Sequence, residues 1–599
     1  MRQLVIRQLF MRQVVMRQLY RSFSVSILIV ALTTGIAVAQ KDTTKLNQSV
    51  EVMKAYQPTI TNANKVSLLP VIEDTTRFTP EFKYSIESRP VTTGFTASPI
   101  GAADVNGLPS KDLGFGYLKL GAGAYSTLYG ELFLNLPKSK IATLGVHLRH
   151  LTSDGTLTLR EGDIADAPYS QSNASIFSSL NLGGTVLSAD LSYDRDAMRY
   201  YGYPVALPAN TIMDQYGLKQ AYQKGKMSVS LRTDDKAETD LKFNGGFHLG
   251  FFDSKTNQKQ TSGGLFGNFD YKFGELNGIL NLSYEHLITD SISLEPSHVV
   301  GTKKEGWVRV APSVRLDGDN WSLRGGINFV AVQDKSYNNV TKLYPDFEAN
   351  LTPLAGILTL YASFKGDLKN NRYGDIAMEN YWADPMHNVH NTDYSYVLSG
   401  GMKGKISREI SYNLGLKYIM VKDQYFYILN SHDNSSSSSS TDRIVYNNAF
   451  DMIYDNLKIF NLSTEFSYVS GNDLSVVLKG NYYNYRLDNL PFAPQRPNFE
   501  MSASTGFRII ERLKGFADLE VLGNRKALTI YTDPITQSKV NSEFTIDPSI
   551  RVNLGATYEL TSKFNLFGRV DNLLNRENEQ WLGYASQGIR LLAGASYTF

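Results

Sequence analysis

His387 and His390 sit in a polar stretch with Asp384 and Asp393 nearby, and two imidazoles plus carboxylates are a donor set that a divalent metal can use. An ordinary polar loop explains the same residues more simply, so no metal site is assigned. His147 and His150 differ by three positions and face opposite sides of an extended chain, where they cannot share an ion. A hydrolase would need a nucleophile, a base and an orienting group in register, and no spacing marks such a set. Gly325-Gly326 falls inside a strand pattern, where close backbone approach is a better explanation than phosphate binding. With no cysteine among 599 residues, disulfides, thiolate metal sites and a cysteine nucleophile are excluded. No reaction and no cofactor is expected; the protein reads as a non-enzyme.

The elements that would carry any site are extended. The chain is 42% hydrophobic and 12% aromatic, with a formal net charge of +2. That composition is too aromatic for disorder, and the charge gives no basic field for nucleic acid. Beyond the N-terminus no segment has the roughly 20 apolar residues of a spanning helix. Instead apolar and polar residues alternate from about Leu113 to the last residue, as in Ile550, Val552, Leu554, Ala556, Tyr558 and Leu560. Long strands, aromatic pairs at their ends (Tyr200-Tyr201, Tyr425-Phe426-Tyr427, Tyr482-Tyr483) and short turns alternating with long loops favour a membrane barrel over a soluble sandwich. The aromatic pairs are expected to form interfacial girdles. Short turns are expected near residues 137–140, 183–184, 234–235, 317–320, 471–473 and 561–562. Long loops are expected near 153–173, 202–222, 370–393, 430–442 and 526–544, the fourth carrying the serine run 435–440. The fold expected is all-β: a transmembrane antiparallel β-barrel of about 22 strands, within a range of about 18–24.

Residues 1–39 read as an export signal. Arginines at 2, 7, 12, 17 and 21 precede a short apolar run, and Ala37 and Ala39 offer the small residues that signal peptidase needs before Gln40. Residues 40–112 form a proline-punctuated arm expected to be extended, and residues 113–599 the barrel. Export and alternation together place the mature chain in the cell outer membrane. The last strand ends on Tyr597 and Phe599, one face of an alternating segment whose free edge barrel-assembly machinery can read.

The run Arg569-Val570-Asp571-Asn572-Leu573-Leu574-Asn575-Arg576, followed by Trp581, Gly583-Tyr584 and the Ser596-Tyr597-Thr598-Phe599 end, resembles the C-terminal signature of TonB-dependent receptors. The stretches Val50-Glu51-Val52-Met53-Lys54-Ala55-Tyr56-Gln57-Pro58, Tyr129-Gly130-Glu131-Leu132, Tyr200-Tyr201-Gly202-Tyr203 and Arg496-Pro497-Asn498-Phe499-Glu500 are similar to a plug-less group of these barrels in Bacteroidota. The resemblance implies an outer-membrane barrel for transport or secretion, or the membrane subunit of such a machine. It departs from the receptors in its short arm, which has no plug-like pattern. Alternatives are a passive diffusion porin and a structural or adhesive barrel acting through its loops.

A barrel this wide cannot be filled by wall side chains alone. The arm, inward-folded loops, or a periplasmic or lipoprotein partner must therefore seal it. Arg149, Asp190, Asp194, Glu285, Lys479, Arg551 and Glu559 are expected to face the lumen, and the partners expected are outer-membrane lipid and the assembly machinery, not nucleic acid.

Overall fold

Alternation of this kind leaves one face of every strand apolar, and a sheet with an apolar outer face must close on itself to lose its edges. In the computed structural model that closure is complete. The described residues are 115–136, 141–159, 162, 164–202, 219–256, 258–290, 302–334, 339–384, 389–431, 449–471, 473–532 and 539–599. The export signal with Ala37, Ala39 and Gln40, the arm, the 137–140 turn, His387 and the serine run lie outside them.

Twenty-two antiparallel strands go round the barrel. The first, Gly116–Gly123, pairs with the last, Arg590–Thr598, from Tyr117 opposite Thr598 to Gly123 opposite Leu592. Outward side chains are apolar and bare: Leu265, Leu343 and Leu398 are each more than half exposed. Such exposure would be a liability in water and is a requirement in lipid.

One end of the barrel carries short turns. At Gly183-Gly184 both residues have positive φ (76° and 116°), the backbone a two-residue hairpin of matching twist needs. Both termini of the barrel meet at this end, where the Gly116 N–H donates to the Phe599 carbonyl and the Phe599 N–H to Gly116 O, each at 2.9 Å.

The opposite end carries the long loops, and here the strands grow. Ile410–Ser431 has 22 residues and Phe450–Ser470 has 21, where roughly 10 suffice to cross a bilayer. Between Val421 and Gln424 the pairing shifts register around Asp423, whose φ is +54°. Beyond this bulge both faces are covered: Tyr425 and Phe426, on opposite sides, are buried. The stretch 526–544, expected to be a loop, is a hairpin of Arg525–Thr532 and Lys539–Ile546. Its first strand adds in parallel to Leu429–Ser431, extending the wall beyond the membrane.

Candidate functional site

The loop 370–391 joins the thirteenth and fourteenth barrel strands, Leu358–Lys369 and Thr392–Lys405, but does not stay above them. It enters the mouth as the short helix Tyr373–Glu379 and reaches the inner wall of the fifth to ninth strands. There the Gly374 N–H donates to Gln260 Oε1 at 2.9 Å, Lys224 pairs with Asp375 at 2.7 Å and Arg372 pairs with Glu285. Tyr373 and Ala377 pack on Met198, Tyr222 and Phe252. A Cβ on Gly374 would stand 2.9 Å from the Phe252 ring, so glycine is what allows this approach. The loop's other flank is held by the fifteenth strand, where Tyr427 donates its hydroxyl to Ile376 O at 3.2 Å and Tyr425 donates to Glu379. The segment is therefore a crossbar, tied to both sides of the barrel.

A second loop, 572–589, comes in from the junction of the last two strands. Trp581 and Tyr584 are fully buried in it. Tyr584 stacks on Trp382 of the crossbar with ring centroids 4.0 Å apart and planes at 26°. Trp581 meets Tyr427 edge-on at 4.8 Å, and the Tyr201 hydroxyl donates to Ala585 O at 2.7 Å. The two loops thus meet over the lumen on an aromatic core joining strands that lie far apart round the ring.

Buried hydroxyls and indole N–H groups need partners, and here they find backbone carbonyls of the crossbar and of the wall beside it. Tyr222 donates to Tyr381 O at 2.9 Å and Trp382 Nε1 to Arg199 O at 2.8 Å.

The C-terminal motif forms the footing of the second loop. Asp571 accepts from Arg569 and, at 2.7 Å, from Arg590. Asn572, at φ +52°, donates to Arg576 O and Gln587 O, and Asn575 Oδ1 accepts the Ile589 N–H at 2.8 Å. Gly583 takes φ +77° between the two buried rings.

Beside this footing lies a half-open cavity of about 190 Å³. Arg551, Arg569 and Arg590 line it from the wall together with Glu520 and Asp571, and Tyr381 and Trp382 face it from the crossbar. Arg551 pairs with Glu520 at 3.2 Å, so each guanidinium already has a carboxylate and the surface is close to charge-balanced.

The inward positions named from the sequence alternate with bare apolar residues on their strands. Glu285 holds both Arg372 of the crossbar and His248, the latter at 3.2 Å. Asp194 accepts from Asn173, Lys479 pairs with Glu465 at 3.6 Å, and Arg551 holds Glu520 at the cavity. Arg149 shares its face with Glu131, its neighbour across the strand pair; Asp190 precedes the outward Leu191, and Glu559 lies between Tyr558 and Leu560. His147 contacts Glu131 on the inner face and His150 contacts Ser172 on the other. His390 donates its backbone N–H to the Tyr454 hydroxyl, and Asp393 takes Tyr344 and Lys342. Among the described residues no group of three metal-ligating side chains assembles.

The girdle expectation is corrected for most of the aromatic pairs. Tyr200, Tyr425, Phe426, Tyr427 and Tyr483 are buried, and Tyr201 packs against the aromatic core; Tyr482, at 44% exposure, is the member that faces lipid. Loops from distant strands cover the others, which alternation along one strand cannot report. Sequence reasoning also missed Trp382 and Glu379. The available signal was Tyr373, Tyr381 and Trp382 together in one loop.

No family model and no curated protein matches the sequence. Solved structures do match the fold. The FrpB iron transporter from Neisseria meningitidis aligns over 82% of this chain and 82% of its own, at 11% identity and a TM-score of 0.60. The pyoverdine outer membrane receptor FpvA from Pseudomonas aeruginosa, bound to pyoverdine, aligns over 81% and 78% at 13% identity and a TM-score of 0.59. The ferric enterobactin receptor PfeA from Pseudomonas aeruginosa, in complex with enterobactin, aligns over 81% of each chain at 12% identity and a TM-score of 0.59. The barrel therefore has the architecture of TonB-dependent receptor barrels, and at these identities the likeness is one of fold.

Proposed function

We propose that the protein is an integral outer-membrane transport channel, or the membrane-embedded subunit of a transport or secretion machine, whose outer mouth is closed by its own loops and opens when the crossbar leaves the wall. The long-loop end faces outward, as in bacterial outer-membrane barrels, and residues 1–39 direct export. The observation that carries the reading is the meeting of the two inward loops at Trp382 and Tyr584, which spans a lumen the wall cannot fill. A passive porin has no use for such a closure. The iron-complex cargo of the structural neighbours is not carried over. The cavity beside the loops is charge-balanced, and at about 190 Å³ it is smaller than usual small-molecule pockets.

Planar-bilayer conductance tests the reading. The mature protein is expected to be silent, and a variant with residues 373–389 replaced by a short Gly-Ser link to give large, long-lived steps. Large steps from both would establish a porin. Silence from both would place the seal elsewhere in the lumen and remove the gating role of the crossbar.

A further inference from the structure

The stretch Gln495-Arg496-Pro497 lies in the loop 488–498, which folds inward over the inner wall of the fourteenth to seventeenth strands; Ala493 packs there on Ile419, Val421 and Ile459. Gln495 takes φ +64° and has no exposed surface, and Arg496 is 6% exposed. A side chain other than glycine at positive φ, next to a buried guanidinium, is a costly arrangement for a surface loop. Its contacts account for it.

Three groups of this dipeptide reach three different mouth segments. The Gln495 N–H donates to Lys526 O at 2.7 Å, engaging the outer hairpin. Gln495 Oε1 accepts the Leu582 N–H at 3.3 Å, engaging the second loop. The Arg496 guanidinium pairs at 3.1 Å with Glu379, at the C-terminal end of the crossbar helix, whose other oxygen accepts from Tyr425. A further tie joins hairpin and second loop without the dipeptide: Arg525 donates to the carbonyls of Glu579 and Gln580.

We infer that Gln495-Arg496 is the latch of the gate: it holds crossbar, outer hairpin and second loop in one closed arrangement, and release of Arg496 from Glu379 is the step that frees the crossbar. The inference rests on the gating reading of the two loops. The attachment of the crossbar to the fifth to ninth strands rests on the buried Tyr373 and Ala377 and on ion pairs more open to water than the latch: Lys224 and Asp375 are 40% and 54% exposed, Arg372 and Glu285 30% and 17%. The Arg496–Glu379 pair, at 5% and 20%, is shielded from water, and a buried pair resists loss of either partner strongly. Burial works against charge on Arg496, but Glu379 and the surrounding tyrosines outweigh it and raise its pKa. The guanidinium therefore stays ionised.

The test is single-channel recording of the full mature protein with Glu379→Gln, Arg496→Met and Arg496→Lys, each checked for heat-modifiable migration as a folded barrel. Lys479→Gln, which breaks a wall pair away from the mouth, is the control. Glu379→Gln and Arg496→Met are expected to open at least ten times as often as the parent. Arg496→Lys, which keeps the charge, should stay mostly closed, and Lys479→Gln should match the parent. Folded Glu379→Gln barrels as silent as the parent would overturn the latch. The crossbar-replaced variant separates the two failures: steps from it with silent Glu379→Gln overturn the latch alone, whereas silence from it overturns the gating reading. Where Arg496→Met does not fold, Glu379→Gln, nearly isosteric, decides.

Discussion

Tyr584 shows what a single side chain does in this molecule. Its ring is fully buried, touches Trp382, Tyr201 and Phe450, and fills space that Gly202 leaves open; a Cβ there would stand 2.3 Å from the ring. Tyr584→Ala would open a cavity at the junction of the two loops, and truncation of a buried aromatic costs about 3–5 kcal/mol. These contacts all lie at the mouth, so the loss should appear as an early transition of the mouth in thermal denaturation, with heat-modifiability unchanged. Coincident loss of both would show mouth and wall to be one cooperative unit. Phe599 acts at the other end. It stacks beside Tyr597 with centroids 5.9 Å apart and closes the pairing to Gly116. Phe599→Ala is expected to lower the outer-membrane level several-fold while the inserted fraction keeps its parent conductance. A normal level would remove its role as an assembly signal.

Among the elements, the strand Ile410–Ser431 divides at its bulge into a lipid-facing lower part and an upper part wrapped on both sides. The uneven pairing at Asp423 does what a bulge does: it bends the strand and re-aims Tyr425 and its successors. Asp423 already holds its φ of +54°, so Asp423→Gly relieves it and is expected to change stability by less than about 1 kcal/mol. Deleting Asp423 would instead remove the bulge, leaving Gln424 opposite Asp455 but straightening the strand and drawing Tyr425 and Tyr427 off the crossbar. Trypsin added to intact cells should then cut near Arg372, which the parent protects, and equal protection in both would show that the bulge does not place the crossbar. The strands themselves were legible in the sequence, because each carries its own alternation and its turns carry glycine and aspartate. Strand Thr185–Arg199 and the turn at Gly183-Gly184 are direct examples. The crossbar was not legible, since Ile376 and Trp382 are buried by Tyr427, Tyr200 and Tyr584. Those residues arrive from strands remote in sequence, and no local pattern encodes such meetings.

At the scale of the whole molecule, the strand count of 22 was readable from the up-and-down alternation, and the solved neighbours share that architecture. The site was readable only in pieces. The Asp571-Asn572 motif and Arg496 stood out as sequence, but their common task is visible only once the loops converge. The export signal makes a separate prediction: mass spectrometry of purified protein should find Gln40 as the first residue, and retention of residues 1–39 would refute cleavage there.

The wall is not of even height. Gly116–Gly123 and Phe564–Asp571 have eight residues each and Arg590–Thr598 has nine, against 22 and 21 in the fifteenth and sixteenth strands. At about 3.3 Å per residue and a tilt near 40°, eight residues rise only about 20 Å, less than the roughly 25 Å apolar belt usual for such barrels. Leu573, Leu574 and Ile589, bare beyond those strand ends, make up part of the difference. Lipid beside this flank is expected to thin to meet it, and lipid against the tall flank to keep its natural thickness. The protein therefore carries a built-in compass: in a crowded membrane its thin flank will be drawn to thin neighbours, and its orientation among them is set by hydrophobic mismatch before any specific contact forms.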